Sequence, residues 1–598
     1  MDFPALPMRS AANSNMDMLA SIHKFAPIAA ISLLLSACNT AAQLSPPADI
    51  PAAPITEPDT RPGLVSAADP RAAQAGAQML RQGGSATDAA IATMLALTVV
   101  EPQSSGIGGG GFFVRSTPLG DVITIDGRET APAAATPDWF LGADGTPKPY
   151  RDVVSTGLSV GVPGNLRLAQ QAHSQFGKLE WAALFAPAIS LAEDGFAVSE
   201  RLHQYLDLLK THAGASAEGR MLFYDGAGHA KPVGAVIRNP ALANTLRKIS
   251  ANGPDFFYKG AFAADLASQI RKATPGSAGM AANDLASYLA KPRDAVCGEY
   301  RAHRICGMGP PSSGATTVIA ILAQLEPFDL GALGPDSPVT WHLFAESQRL
   351  AYADRERYLA DPDFVDVPVS WLLRPSYLAR RASLISASST MAKAKPGIAP
   401  KATIAPPDGT EPPENGTSHF VTIDRNGNAV SYTSTIEGPF GSGLMAGGFY
   451  LNNELTDFSF TPMASGRPIA NRVESGKRPR SSMAPTVVYG PEGKMIYVLG
   501  AAGGPTIPTQ VAKTLIGLID LDLTLSEALA LPQIFSPGDT LMIEEGSKFE
   551  TMIQPLRALG HTNVVTGAFS LKANAAQNTA RGWIGAGDPR SEGVSISE

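Results

Sequence analysis

Cysteine is nearly absent: the chain has three in 598 residues, and its nine histidines are scattered. No Cys/His grouping has zinc spacing, so neither a metal site nor a cofactor is expected. Basic blocks are missing too. The net charge of −7 is modest and without the clustered Lys and Arg that nucleic acid demands, which excludes DNA or RNA as a partner. No repeat of solenoid or propeller period is present. No apolar run reaches the roughly 20 residues needed to span a bilayer as a helix. The hydrophobic fraction of 44% is nonetheless that of a globular protein with a sizeable core.

The main apolar run near the N-terminus is Ala26–Leu35, which follows Lys24 and gives way to small residues. It fits the h-region of a signal peptide better than a buried N-terminal helix. The run ends Leu35-Ser36-Ala37-Cys38, which resembles a bacterial lipobox. That resemblance implies removal of residues 1–37 and lipidation of Cys38. Met16 or Met18 would give a more usual n-region than Met1. Residues 38–62 are rich in Ala and Pro without periodicity, as in a tether. Asn39 is not the Asp associated with inner-membrane retention. The expected location is therefore periplasmic, on a lipid anchor, with the outer membrane favoured. In that oxidising setting Cys297 and Cys306, on two arms of a tight hairpin, form either a disulfide or two free buried thiols.

From Gly63 onward the sequence reads as continuously globular. Ala and Leu recur at helical spacing between Pro70 and Val100, broken at Gly83-Gly84, so two helices joined by a turn are expected. A glycine cluster at 106–111 precedes strand-like Phe112-Phe113-Val114 and Val122–Ile125. Helices are expected to dominate from Pro163 to about Ala360, interrupted at Gly309–Gly314. Residues 384–416 hold almost no large apolar side chain and read as a flexible segment. Two β-rich runs follow abruptly, His419–Asp424 and Asn428–Thr435, on either side of Asn426-Gly427, a strong hairpin signal.

The register of this hairpin depends on its loop. A three-residue loop, Arg425-Asn426-Gly427 with Gly427 left-handed, sets Asp424 opposite Asn428 and Thr417 opposite Thr435 on the same face. A two-residue loop sets Thr417 opposite Ile436 and turns Thr435 to the other face.

A threonine at such a junction is by default an ordinary strand residue, because its hydroxyl needs a base to become a nucleophile. The one Gly-x-Ser-x-Gly string, Gly157–Gly161, is followed at once by Pro163-Gly164, which spoils the strand-turn-helix context of a nucleophile elbow. A cut before Thr417 would change matters. Its new α-amino group would titrate at about 7.7–8.0, close to where a general base works best.

Several motifs, in order, resemble the γ-glutamyltranspeptidases of the N-terminal-nucleophile hydrolase superfamily. They are Gly416–Phe420, Leu451–Ser459, Lys477–Thr486, Ala502-Gly503-Gly504, Ile125–Glu129, Pro310–Gly314 and Gly587–Ser591. The resemblance covers nearly all of the chain after Gly63. It implies an α+β fold, a four-layer αββα sandwich, self-cleaved between Gly416 and Thr417 into a large subunit (63–416) and a small catalytic subunit (417–598) that stay associated. It implies Thr417 as nucleophile, Thr435 as its hydrogen-bond partner, and Gly503 and Gly504 as oxyanion donors. For a γ-glutamyl donor it implies Arg128, Ser481 and Ser482 at the α-carboxylate and Glu454 and Asp457 at the α-ammonium. Water or an amino acid or peptide would accept the γ-glutamyl group.

Two features depart from the family pattern. Glu437 stands where typical members carry Asn, adding a carboxylate to the donor site. The stretch from Asp457 to Ser481 is shorter than in several bacterial members and contains Phe458 and Phe460 but no Tyr, so the aromatic lid found there is expected to be reduced. Two other functions compete: an acylase of the same fold acting on glutaryl-type amides, and an uncut lipid-anchored binding protein.

Overall fold

The computed structural model describes residues 62–276, 279–399 and 416–598. The expected signal peptide, the Cys38 lipidation site, nearly all of the tether and positions 400–415 lie outside the described residues.

Two antiparallel sheets carry the fold. The first runs Val594–Ser597, Leu64–Ala67, Ser418–Ile423, Ala429–Thr435, Gly110–Ser116, Val122–Gly127, Lys291–Arg293. The second runs Gly582–Gly587, Lys572–Thr579, Met495–Ala502, Thr486–Tyr489, His303–Gly307, Val296–Tyr300. Helices Pro70–Arg81 and Ala86–Val100 pack on the outer face of the first sheet. Helices Gly314–Leu325 and Ile507–Ile519 pack on the far side of the second, with helix Pro338–Tyr358 against Gly314–Leu325. The order helix, sheet, sheet, helix is the expected αββα sandwich. Because both faces of the central strands are covered, Ser418–Ile423 and Ala429–Thr435 are buried at every position and lack the alternation of a half-exposed antiparallel strand.

The hairpin takes the three-residue loop. Asp424 N–H donates to Asn428 O at 2.9 Å, Gly427 N–H donates to Asp424 O at 2.9 Å, and Gly427 has φ 75°. Ser418 pairs with Ser434, so the next step of the ladder sets Thr417 beside Thr435. The paired helices meet at Gly83-Gly84 as expected. Ser85 caps the second in a box with Asp88, whose N–H donates to Ser85 Oγ at 3.1 Å.

Three expectations are refined. Helices give way after Ser287 to strands Lys291–Arg293, Val296–Tyr300 and His303–Gly307 before Gly309–Gly314 is reached. Cys297 and Cys306 face each other in the last two of these strands and are joined as a disulfide. The segment expected to be flexible from residue 384 is seated as far as 399. Met391 N–H donates to Glu346 at 2.7 Å, Gly397 N–H to Asp354 at 2.8 Å and Ala399 N–H to the Tyr358 hydroxyl at 3.3 Å. Side chains of helix Pro338–Tyr358 thus satisfy a backbone that has no apolar face of its own.

Residues on the two sides of position 416 share both sheets. Ser418–Ile423 pairs with Leu64–Ala67, Ala429–Thr435 with Gly110–Ser116, and Thr486–Tyr489 with His303–Gly307. Among the described residues no helix is long and apolar enough to cross a membrane.

Candidate active site

Thr417 stands just ahead of the central strand and is 5% exposed. Its Oγ1 donates to Thr435 Oγ1 at 3.1 Å, and Glu437 N–H donates to the same oxygen at 2.8 Å. Its φ is 139°, a region that β-branched residues avoid, so the backbone is strained at this point. Gly416 is pressed against the chain opposite: a Cβ there would lie 2.0 Å from Glu437 O. Only glycine passes.

Arg128 lies just beyond the end of strand Val122–Gly127, with its backbone N–H held by Asp126 at 2.9 Å. It is 1% exposed, and its guanidinium pairs with both Glu454 and Asp457. Two further bonds go to carbonyls, Nε to Pro479 O at 3.2 Å and an Nη to Arg480 O at 2.8 Å. The Lys477–Thr486 motif is thereby explained. Its arginines reach away to anchor it, Arg478 to Asp126 at 2.9 Å and Arg480 to Glu356 at 2.6 Å, while its carbonyls hold Arg128.

The charge balance here is acidic. Burial, with Glu129 and Asp457 nearby, holds the Glu454 carboxyl well above its ordinary value although Arg128 opposes the shift. Glu129 is fully buried, and burial pushes it up to about 7. Among the described residues, the Glu129 oxygens and Glu454 Oε2 meet no side-chain donor other than each other's carboxyl. Glu437, at φ 72°, accepts from Asn453 Nδ2, while Asn453 Oδ1 accepts from Gly438 N–H at 2.9 Å. Asn453 thus bridges the Thr435–Glu437 segment to the turn Glu454–Asp457. Tyr150 stands over this bridge, with its hydroxyl 3.4 Å from Asn453 Nδ2.

Gly503 and Gly504 follow strand Met495–Ala502 at φ 130° and 56°, and a Cβ on Gly503 would lie 2.7 Å from Ser570 O. Glycine is required at this turn. Ser481 and Ser482 adjoin the carbonyls that hold Arg128. Ser481 Oγ accepts from Met483 N–H at 3.2 Å, and Ser482 Oγ accepts from Arg355 at 2.7 Å. The Pro310–Gly314 run supports them: Ser481 N–H donates to Pro311 O at 3.0 Å, and Ser313 N–H donates to Ser481 O at 2.7 Å. In the expected lid region Phe458 is buried, and Phe460 stacks on Phe140 at 4.2 Å. Ser159, of the Gly-x-Ser-x-Gly string, is buried and donates to Val154 O at 2.8 Å.

Glu129, Asn453 and Tyr150 were not singled out from sequence as site residues, although Glu129 lies inside a motif read for its arginine. A second group, also unforeseen, is His342, Glu346 and His561, with ligand-type atoms within 4.8 Å of one another. They already satisfy one another and their neighbours. His342 Nδ1 and His561 Nε2 share a hydrogen bond of 2.7 Å, and Glu346 accepts from Arg349 at 2.7 Å, Thr390 at 2.6 Å and Met391 N–H at 2.7 Å.

The family model for Gamma-glutamyltranspeptidase matches residues 72–597. The chain is 36% identical over 513 residues to the glutathione hydrolase proenzyme of Bacillus subtilis (strain 168), covering 83% of this chain and 85% of that one. It is 35% identical over 578 residues to the glutathione hydrolase proenzyme of Escherichia coli (strain K12), covering 94% and 97%. In structure it is similar to a cephalosporin acylase from Bacillus halodurans, with a TM-score of 0.77 and 27% identity over 90% of this chain and 96% of that chain. Matches that run through both sheets and across the Gly416–Thr417 junction place the chain in the γ-glutamyltranspeptidase family.

Proposed function

We propose that the chain cuts itself between Gly416 and Thr417 and then uses Thr417 to transfer or hydrolyse γ-glutamyl groups of glutathione and related compounds. The observation that carries this reading is the Thr417 hydroxyl, bonded to Thr435 on a strained backbone directly after an obligatory glycine. In self-cleavage Thr417 Oγ1 attacks the Gly416 carbonyl carbon. The C–N bond breaks, the acyl group passes to oxygen, the nitrogen becomes a free amine, and water hydrolyses the ester. Residues 63–416 and 417–598 become the two subunits.

In turnover the new amine takes the proton of Oγ1 as that oxygen attacks the γ-carbonyl of the donor. Gly503 and Gly504 supply N–H groups to the oxyanion. The departing amine collects the proton, and the γ-glutamyl-Thr417 ester passes to water or to an amino acid or peptide. The donor's zwitterionic end exchanges with the internal ion pair: its α-carboxylate takes the Arg128 fork beside Ser481 and Ser482, and its α-ammonium takes Glu454, Asp457 and Glu437. Export to the periplasm on a Cys38 lipid anchor completes the proposal, and a Cys38→Ser chain should move from the membrane to the soluble fraction.

The test is the intact mass of the purified chain beside Thr417→Ala. Two fragments from wild type, one beginning at Thr417, with the variant whole, support the reading. A folded, uncut wild-type chain overturns it. Likeness to the acylase favours a second reading, a glutaryl amide as substrate. Such a substrate brings no ammonium to the carboxylates of Glu437, Glu454 and Asp457. A chromogenic γ-glutamyl anilide assayed against its glutaryl analogue separates the two.

A further inference from the structure

Glu101 and Lys572 form an ion pair at 2.9 Å, with each side chain only 1% exposed. Lys572 Nζ reaches both Glu101 oxygens, at 3.1 and 2.9 Å, and donates to Ser104 Oγ at 3.1 Å and Ser418 Oγ at 3.2 Å. Ser418 Oγ donates to Glu101 Oε2 at 2.5 Å and accepts from Ser105 Oγ at 3.2 Å. The network is closed, since every donor of the ammonium has an acceptor. Burial works to raise Glu101, but the charges of Lys572 and Arg201 outweigh it and hold the carboxyl below its ordinary value. Burial brings the Lys572 ammonium down to about 8 although Glu101 opposes the shift, so the pair is ionised at neutral pH and below.

Stability alone does not account for such a pair, because the desolvation of two buried charges consumes most of their mutual attraction. Its connections do account for it. Ser418 is the residue after Thr417. The carbonyl of Ser104 accepts from Ile436 N–H at 3.3 Å, and Ile436 is the residue after Thr435. Lys572 pairs with Ala502 in the second sheet, and Ala502 is the residue before Gly503. One charged unit therefore reaches three segments, two directly and the Ile436 segment through Ser104, each a single residue away from a group that the proposed mechanism uses. Two of those segments lie in different sheets.

We propose that Glu101 and Lys572 are positioning residues that hold the nucleophile, its orienting hydroxyl and the oxyanion turn at a fixed separation, in the precursor and after cleavage. The inference rests on the function proposed above. Neither residue meets the donor's charged end at Arg128, so their loss should act on the chemical steps and leave donor binding alone.

The experiment compares wild type with Glu101→Gln, Lys572→Met, Ser418→Ala and the double variant Glu101→Met/Lys572→Met. Self-cleavage is followed by intact mass, kcat and KM by a chromogenic γ-glutamyl anilide, and stability by thermal melting. In the singles, self-cleavage and kcat should both slow by roughly 10–100-fold, as misplacement near an ångström commonly does, with KM within about twofold of wild type. The double variant, with apolar groups in place of both charges, should melt near wild type and remain as slow as the singles. Ser418→Ala deletes only the link to the nucleophile strand and reads the same way if larger changes disturb folding. A well-folded double or Ser418→Ala variant with wild-type kcat overturns the proposal. So does a parallel loss of kcat, KM and melting temperature. A wild-type chain that neither cuts itself nor turns over the anilide instead refutes the proposed function, which separates the two failures.

Discussion

Thr417 Oγ1 and Thr435 Oγ1 are 3.1 Å apart, and the Thr435 oxygen also accepts the Glu437 N–H at 2.8 Å. The hydroxyl that accepts from Thr417 is thus itself held by the backbone just beyond strand Ala429–Thr435. Thr435→Val keeps the shape and removes the acceptor. It should slow self-cleavage and turnover by about 100-fold, and leaving the Glu437 N–H unsatisfied should cost about 1–3 kcal/mol. Thr435→Ser should retain most activity. Mass-resolved cleavage time courses with thermal melting check both.

Arg128 balances two buried carboxylates. Arg128→Gln strands them without a cation, for which a cost of about 3–5 kcal/mol is expected. Donor KM should rise more than 10-fold in the same variant. Arg128→Lys should not rescue it, because one ammonium cannot reproduce the planar fork. Denaturant melts and steady-state kinetics on the two variants read these effects.

The pH dependence of stability follows from Glu129, which burial pushes from an ordinary 4.5 to about 7. Between those values the native chain keeps a proton that the unfolded chain has released. The contribution is therefore complete below about 4.5 and drains away as pH rises through about 7. Glu129→Gln cannot titrate, so its melting temperature should gain on wild type from pH 5 to pH 8. Equal slopes for the two proteins would contradict the assignment.

Glu437 brings a carboxylate to a site that already holds Glu454 and Asp457. Glu437→Asn removes that charge and keeps a partner for Asn453. Donor KM should rise by about 2–10-fold while kcat changes little, the signature of lost ground-state binding. A donor lacking the α-ammonium should gain relative to glutathione.

The Cys297–Cys306 bridge closes a short hairpin at the edge of the second sheet. Removing it as a Cys297→Ser/Cys306→Ser pair should cost about 2–3 kcal/mol, as loop-closure entropy predicts for so small a ring. Activity at room temperature should be unchanged. A chemical melt and an anilide assay under reducing conditions settle both points.

The hairpin was legible in the sequence because it is a local object, but its loop length left two registers open, of which the structure takes the one that sets Thr417 beside Thr435. Thr417 as the proposed nucleophile came only from motif resemblance. Arg128, Glu454 and Asp457 were legible only through motif resemblance, since nothing local announces that residues so far apart will converge. Glu101 and Lys572 left no trace at all, because a buried ion pair between distant strands has no periodicity. Residues 384–399 misled for a related reason. Their order comes from Glu346, Asp354 and Tyr358 on another element, and composition within the segment could not reveal it.

Strands from both sides of position 416 build each sheet, interleaved in the first and meeting at a single boundary, Thr486–Tyr489 beside His303–Gly307, in the second. Once the proposed cut is made, neither piece holds a whole sheet, and what was folding of one molecule becomes reassembly of two. The mature enzyme should therefore persist by the height of its unfolding barrier rather than by a reversible balance. Denatured after cleavage, it should not find its way back, whereas the uncut Thr417→Ala chain should. The precursor would then serve as its own template, used once.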